Sequence, residues 1–236
     1  MKTLIILGAL DAEVDAILAH VTDVVPISCG SLNAYNGNLF GRNVVVSKSG
    51  VGKVFAAATT QWLIQQFSPE AVIFTGVAGA LNADFEVGDI VLATDCIQYD
   101  MDARGLGFPI GNIPYTDLRY FRADKNMLDI ALGSKTDHRV LTGRILTGDR
   151  FITHEEAPYL FNMKKELGGD AVEMEGAAVA QVCTLHQTPF LIIRTISDKA
   201  NADSPFDFPR FLPTVVHNSV TIIRHLLENM EKENAQ

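Results

Sequence analysis

The stretch Phe190-Leu-Ile-Ile-Arg-Thr-Ile-Ser-Asp-Lys199 constrains the fold more than any other in this chain. It is apolar at nearly every position, not at alternate ones, so a strand made from it must be covered on both faces. Strands flanked by helices on either side of a sheet meet that requirement, whereas a sheet with one wet face would show alternation. Arg194 is the exception within the run. A buried guanidinium needs a carboxylate or an ordered water against it, so ordinary core packing does not explain it.

Leu4-Ile-Ile-Leu-Gly8 repeats the pattern and turns tightly into a helix with apolar positions at Val14, Ile17, Leu18 and Val21. Strand, turn and helix in that order place side chains at the carboxyl edge of an α/β sheet. Asp11 is the expected N-cap, and Glu13 complements the helix dipole. The turn is acidic and lacks the glycines of a dinucleotide-binding fingerprint. Strands are expected at 3–8, 24–29, 33–40, 43–48, 71–75, 89–97, 139–146 and 190–197. Helices are expected at 11–20, 53–67, 124–133, 155–166, 175–186 and 209–230. Turn signals at Tyr35–Asn38 and Phe40–Asn43 join short strands as hairpins, which makes the sheet mixed. The expected fold class is therefore α/β, one domain over residues 1–236 with a central mixed β-sheet flanked by helices and a polar tail from about 229. A chain of 236 residues with 47% hydrophobic content supports one sizeable core. Residues 99–123 are irregular and rich in Gly, Pro and aromatics, a length that points to function or an interface.

Several classes are disfavoured. A formal charge of −9 argues against a nucleic-acid backbone as the main partner. No uninterrupted apolar stretch is long enough for a membrane span. Lys2 and the following apolar run are answered at once by Asp11, Glu13 and Asp15 without a small-residue cleavage site, so this segment reads as the first strand and not as a leader. Cys29, Cys96 and Cys183 are odd in number, widely spaced and in apolar contexts, as expected for reduced, buried thiols of a cytoplasmic protein. The histidines show no ligand spacing with cysteine, so no metal is expected and zinc-dependent deamination has no site.

Glu173-Met-Glu175 lies where an extended approach turns into the small-residue helix Gly176–Cys183. A carboxylate is stabilised there by free N–H groups and the positive end of the dipole, and as a pure acceptor it suits a vicinal diol. Alone, the segment is better explained as an acidic helix start. Together with Asp11–Glu13 and Ser197–Asp198, it gathers acids and one arginine at strand ends and helix starts.

Six motifs occur in order: Gly8-Ala-Leu-Asp-Ala-Glu13, Ser49-Gly-Val-Gly-Lys53, Thr75-Gly-Val-Ala-Gly79, Thr147-Gly-Asp-Arg-Phe-Ile152, Val172-Glu-Met-Glu175 and Arg194-Thr-Ile-Ser-Asp198. In that order, over essentially the whole chain, the sequence resembles the 5′-methylthioadenosine/S-adenosylhomocysteine nucleosidases of the purine nucleoside phosphorylase superfamily. The resemblance implies a nucleoside phosphorylase-like fold, no cofactor, and hydrolysis of the N-ribosidic bond of adenine nucleosides. Such a bond cleaves through an oxocarbenium-like sugar, so the purine must be protonated, the sugar charge stabilised and a water deprotonated. The resemblance assigns Asp198 as the acid, Glu13 as the base and Glu175 to the ribose hydroxyls. Arg194 orients the water and Glu13, Met174 lies beneath the sugar, and Ser197 orients Asp198. Phe151 stacks on adenine and the Ile152 backbone reads its edge, with Ala9, Val51, Val77, Gly79 and Glu173 completing the pocket. Phe208 closes over the site. Ala103, Leu106 and Phe108, from the 99–123 loop of a partner, lie near the 5′ group, so the active unit is expected to be a homodimer. Some relatives carry Ser at the position of Val77, so a hydroxyl contact is absent here. Outside the resemblance, Phe151 also reads as a core aromatic, Ser197 as a turn residue and Arg104 as a solvated loop charge.

Three alternatives stay open. A phosphorolytic methylthioadenosine phosphorylase would hold an anionic nucleophile, which two carboxylates in the first loop repel. Ser49–Lys53 is not a phosphate loop, since Val54 follows the lysine. A 6-amino-6-deoxyfutalosine hydrolase would use the same cleavage machinery with a larger 5′ substituent. A noncatalytic nucleoside-binding domain would have no need of Glu13, Glu175 and Asp198 together.

Overall fold

The apolar runs of the sequence become the centre of a sheet in which β5 (Ala71–Ala80) is the pivotal strand. The computed structural model describes residues 2–152, 157–200 and 208–233. Strand β1 (Leu4–Gly8) pairs in parallel with β4 (Arg42–Lys48) on one side and with β5 on the other. Strand β10 (Phe190–Lys199) runs parallel along the opposite edge of β5. Its side chains divide between two cores, as its unbroken apolar character requires. Phe190 and Ile192 pack with helices α2 (Lys53–Phe67) and α5 (Gly176–Leu185). Leu191 and Ile193 pack with α1 (Asp11–Leu18), α3 (Lys125–Leu132) and α6 (Phe208–Glu233).

Strands β2 (Thr22–Cys29) and β3 (Leu32–Leu39) add an antiparallel meander beyond β4, giving the mixed sheet expected from the turn signals. On the other side, β5, β10, β6 (Ile90–Gln98), β8 (Val140–Thr147) and β9 (Ala171–Glu173) close into a ring, because β9 pairs back onto β5. The short β7 (Phe121–Arg122) pairs with β6, and α4 (Ala157–Leu167) covers a third cluster built on Ile97, Tyr99 and Leu146.

One topological detail places the site. Along a single edge, β5 pairs with β1 through Thr75 and with β9 from Gly79. Gly76, Val77 and Ala78 span the gap between these two neighbours, where the sheet parts. Ligands of open α/β sheets bind at such switch points beyond the carboxyl ends of strands.

The structure departs from the sequence reading in several places. β5 runs to Ala80, beyond 75, because its small residues keep pairing with β10. β7 and β9 were not expected; two or three residues carry no periodicity. The 99–123 segment holds a single 3-10 turn, Arg104–Leu106, as well as β7. Cys96 and Cys183 are buried, but Cys29 is exposed, since β2 is an outer strand with one neighbour. α6 continues to Glu233, past the expected start of the tail, because Met230 still packs into the core. Among the described residues no helix is long and apolar enough to cross a membrane.

Candidate active site

The site begins with a helix that lacks a conventional cap. Leu10 occupies the N-cap position of α1, and its side chain has no acceptor to offer. Glu13 curls back instead: its Oε2 accepts the N–H groups of Ala9 at 2.8 Å and Leu10 at 3.0 Å. Asp11, the expected cap, is the first helical residue and pairs with the Lys48 ammonium at 2.7 Å near the surface. Glu13 is 2% exposed, and its Oε1 has no hydrogen-bond partner among the described residues. Burial pushes its carboxyl up from the ordinary value, opposed by the Leu10 N–H, Arg194 and the Ala9 N–H.

Arg194 finds the carboxylate that its burial demands in Glu173. The Glu173 Oε2 accepts from Nη2 at 2.6 Å and Nε at 3.2 Å, and also from the N–H groups of Gly176 at 2.7 Å and Glu175 at 3.1 Å. The Thr147 hydroxyl donates to Oε1. Glu173 thus neutralises a buried cation and caps α5 at once, and the guanidinium lies 4.1 Å from the Phe74 ring centre. Five charge-assisted bonds on one carboxylate make this pair rigid. A Cβ built on Gly76 would stand 2.7 Å from Arg194 Nη1 and 3.5 Å from Glu13 Oε1, so both groups close over a backbone that tolerates no side chain.

Glu175, two residues on, points elsewhere. Its Oε1 accepts the Gly52 N–H at 2.8 Å, at the start of α2. The next N–H, of Lys53, goes to Asp149 Oδ1 at 2.8 Å, while the Lys53 ammonium meets Asp100 at 2.6 Å and Gln98 at 3.1 Å. The glycine-rich Ser49–Lys53 turn therefore serves two protein carboxylates at a helix start that otherwise attracts anions. Glu175 is pushed up to about 7, first by burial and then by Glu173, against Arg194 and the Gly52 N–H, with Glu13 adding a smaller upward push.

Asp198 follows a bulge at the end of β10, between Ile196 and Asp198, which re-aims its side chain. The Ser197 hydroxyl donates to Oδ2 at 2.8 Å, and Oδ1 would lie 3.0 Å from a Cβ on Gly79. Burial raises this carboxyl, and the Ser197 hydrogen bond lowers it.

These groups share a cavity of about 190 Å³. Of the residues expected from sequence, Ala9, Glu13, Val51, Val77, Gly79, Phe151, Ile152, Glu173, Met174, Glu175, Arg194, Ser197 and Asp198 all line it. Phe151 is 58% exposed at the mouth, which rules out its reading as a core aromatic. Ala103, Leu106 and Phe108 do not line this cavity in the same chain; Leu106 is exposed and Phe108 packs edge-on to Tyr115. Arg104 forms a two-pronged pair with Asp102, as a solvated loop charge would. Phe208 begins α6, but its side chain lies outside the described residues. Leu10, Ala78, Arg150, Val172 and Ala200 also line the cavity. All but Ala200 lie inside the motifs quoted above, so their positions carried a signal that their residue types did not. Arg150 sits 5.6 Å over the Tyr159 ring. Among the described residues no group of His, Cys, Asp and Glu is arranged to hold a metal.

A family model described as the phosphorylase superfamily matches residues 3–228. The chain is 36% identical over 233 residues to a 5′-methylthioadenosine/S-adenosylhomocysteine nucleosidase of Marinomonas sp., covering 97% of this chain and 99% of that one. Its fold is similar to the crystal structure of the same kind of nucleosidase from Neisseria meningitidis in complex with methylthio-immucillin-A. That match has a TM-score of 0.90 at 34% identity and covers 96% of this chain and 99% of the other. The futalosine hydrolase of Helicobacter pylori matches with a TM-score of 0.88 at 29% identity, over 96% and 97% of the two chains.

Proposed function

The chain belongs to the phosphorylase superfamily and, within it, to the 5′-methylthioadenosine/S-adenosylhomocysteine nucleosidase family, and from that premise we propose that it hydrolyses the N-ribosidic bond of these two nucleosides, releasing adenine and the 5-thio-substituted ribose. The observation that carries the reading is the convergence of Glu13, Glu175 and Asp198, three carboxyls with raised pKa, the first two buried and the third half-buried, in one cavity. Groups tuned in this way are those that general acid and base catalysis near neutral pH requires.

Asp198, driven toward its protonated form by burial, gives a proton to the departing purine as the C1′–N9 bond breaks and its electrons enter the ring. The Ser197 hydroxyl fixes the carboxyl plane. Glu175 accepts from the ribose hydroxyls and places negative charge near the oxocarbenium-like carbon. Water adds to C1′ as Glu13 takes its proton; the unpartnered Oε1 is the acceptor for that step. Arg194, held by Glu173, fixes the geometry beside it. Phe151 at the mouth offers a face for adenine to stack on.

Hydrolysis fits better than phosphorolysis for a physical reason. Of the cavity's two guanidiniums, Arg194 is neutralised by Glu173, and Arg150 is exposed beside Tyr159. Neither is left to hold a phosphate next to Glu13. A second reading, futalosine-type hydrolysis, draws on the Helicobacter pylori match and would change the 5′ substituent without changing the chemistry.

The active unit we infer is a homodimer. Val54 is 79% exposed and Phe55 55% exposed on α2, and Leu106 and Tyr115 are exposed on the 99–123 loop. Large apolar groups left in water mark a contact surface, and a partner's Ala103, Leu106 and Phe108 would then roof the 5′ side. Free, buried Cys96 and Cys183 suit the reducing cytoplasm, where we place the enzyme. Adenine release from methylthioadenosine by the purified protein tests the reading. The expected result is turnover at one rate with and without phosphate; release that requires phosphate would overturn it.

A further inference from the structure

Two residues of the sequence motifs have no part in the chemistry above. Lys53 closes the Ser49–Lys53 turn, and Asp149 precedes Arg150, Phe151 and Ile152 at the cavity. They meet in a closed ring with Asp100. The Lys53 N–H donates to Asp149 Oδ1 at 2.8 Å, and the Asp149 N–H donates to Asp100 Oδ2 at 3.0 Å. Asp100 Oδ1 accepts from the Lys53 ammonium at 2.6 Å. The ring joins the start of α2 to the loops after β6 and β8, two strands whose parallel pairing brings their ends side by side.

The ring bears on the site through Gly52. This residue is the N-cap of α2 and has no side chain to cap it, so Asp149 supplies an acceptor from 96 positions away. The N–H of Gly52 itself holds Glu175 Oε1 at 2.8 Å. Two consecutive donors of one turn thus serve the sugar-binding carboxylate and the loop that carries the purine face. A Cβ built on Gly52 would stand 3.1 Å from Asp149 Oδ1, so the turn and the loop are in close contact. The Lys53 ammonium also donates to Gln98 at 3.1 Å, and Gln98 donates to Gln181 at 2.6 Å. Gln181 lies on α5, the helix whose N-cap position is Glu175, so that carboxylate is tied to the ring by a second route.

A nucleoside bound as described above spans both tied segments, its sugar at Glu175 and its purine at Phe151. Resting on the hydrolase reading, we propose that Asp149, supported by Asp100 and Lys53, is a positioning residue that fixes the sugar carboxylate and the purine loop at one separation. The C1′–N9 bond then lies between two anchored groups in the geometry for cleavage. None of the three ring residues lines the cavity. They act through the Gly52 N–H on one side and Phe151 on the other.

Asp149→Ala and Asp149→Asn separate this role from that of a plain helix cap. Both remove the charge, but the asparagine oxygen still accepts the Lys53 N–H. Asp149→Ala should lower kcat for methylthioadenosine by about tenfold or more, since small displacements of a substrate-holding group are costly. Its Tm should fall by about 2–4 °C from the lost cap. The acid limb of its kcat/KM profile should also move to higher pH. The groups facing Glu175 are Glu173 of β9, Arg194 of β10 and Glu13 of α1, with the Gly52 N–H from α2, and loosening that donor leaves the carboxylate less stabilised. Loss of the Asp149 charge alone would move the limb the other way. Asp149→Asn should keep kcat within about threefold of wild type, with the acid limb not raised. Asp100→Asn, which removes the support and leaves the cap, should change kcat and the limb in the same directions by less, and it carries the test should Asp149→Ala not fold. A lower Tm with kcat and pH profile unchanged would make the ring structural, and equal losses in Asp149→Ala and Asp149→Asn would assign the effect to charge. Either result would overturn the proposal while wild-type turnover kept the hydrolase reading. A wild type that releases no adenine from methylthioadenosine would overturn both.

Discussion

Gly76→Ala is the smallest change that should disable this site. The added methyl would meet Arg194 Nη1 at 2.7 Å and Cζ at 3.2 Å, with Glu13 Oε1 at 3.5 Å. Ordinary contact begins near 3.4 Å, so one partner must retreat by about 0.7 Å. Neither can do so freely. Arg194 is wholly buried and pinned by Glu173, and Glu13 is tied to the Ala9 and Leu10 N–H groups. Overpacking of this kind costs about 1–3 kcal/mol, or roughly 2–12 °C in Tm for a chain of this size. The larger effect is on chemistry, because a misplacement of about 1 Å at a catalytic group can lose about 10²-fold in rate. Steady-state adenine release and thermal unfolding on the same preparation separate the two. The expected outcome is a folded protein with kcat down by about 10²-fold. Retention of kcat within about threefold would refute the claim that Glu13 and Arg194 are held in place over Gly76.

Asp198→Asn should abolish turnover, with a loss of at least about 10²-fold from the missing acid, while circular dichroism and Tm stay near wild type. Glu13→Gln should lose hydrolysis yet still bind a methylthioadenosine analogue in calorimetry; loss of binding as well would make its role structural. Glu175 must be ionised to grip the diol, so activity should fall as pH drops through about 7, and a flat profile across that range would contradict the assignment. The same group has a stability signature of opposite sense. Its folded pKa is raised from the ordinary value of 4.5 to about 7, so the native state binds the proton more tightly and loses stability as pH rises through that window. Thermal melts of Glu175→Gln should show a shallower decline than wild type between those limits.

The two-faced burial of β10 was legible from composition of the run alone, and Arg194 within it announced an acidic environment. Which acid was not legible. Glu13, Glu173, Glu175 and Asp198 all lie at strand ends or helix starts, and only the register of β9 on β5 puts Glu173 under the guanidinium. The spacing from Leu10 to Glu13 held half of the capping arrangement, but Asp11 was the more obvious residue and the wrong one. Lys53 and Asp149 meet across 96 positions, a contact that local pattern does not encode. The parting of β1 from β5 at Thr75, which opens the cavity, is likewise a property of long-range pairing. Glycines at 76 and 79 were its one local trace, and their reason became clear only with Arg194 and Asp198 in view.

The most direct test of the central claim is the identity of the sugar formed from methylthioadenosine in saturating phosphate. A cavity whose deep arginine is already spent on Glu173, and whose base is a buried glutamate, should pass the sugar only to water and yield free 5-methylthioribose. Accumulation of the sugar 1-phosphate would contradict it.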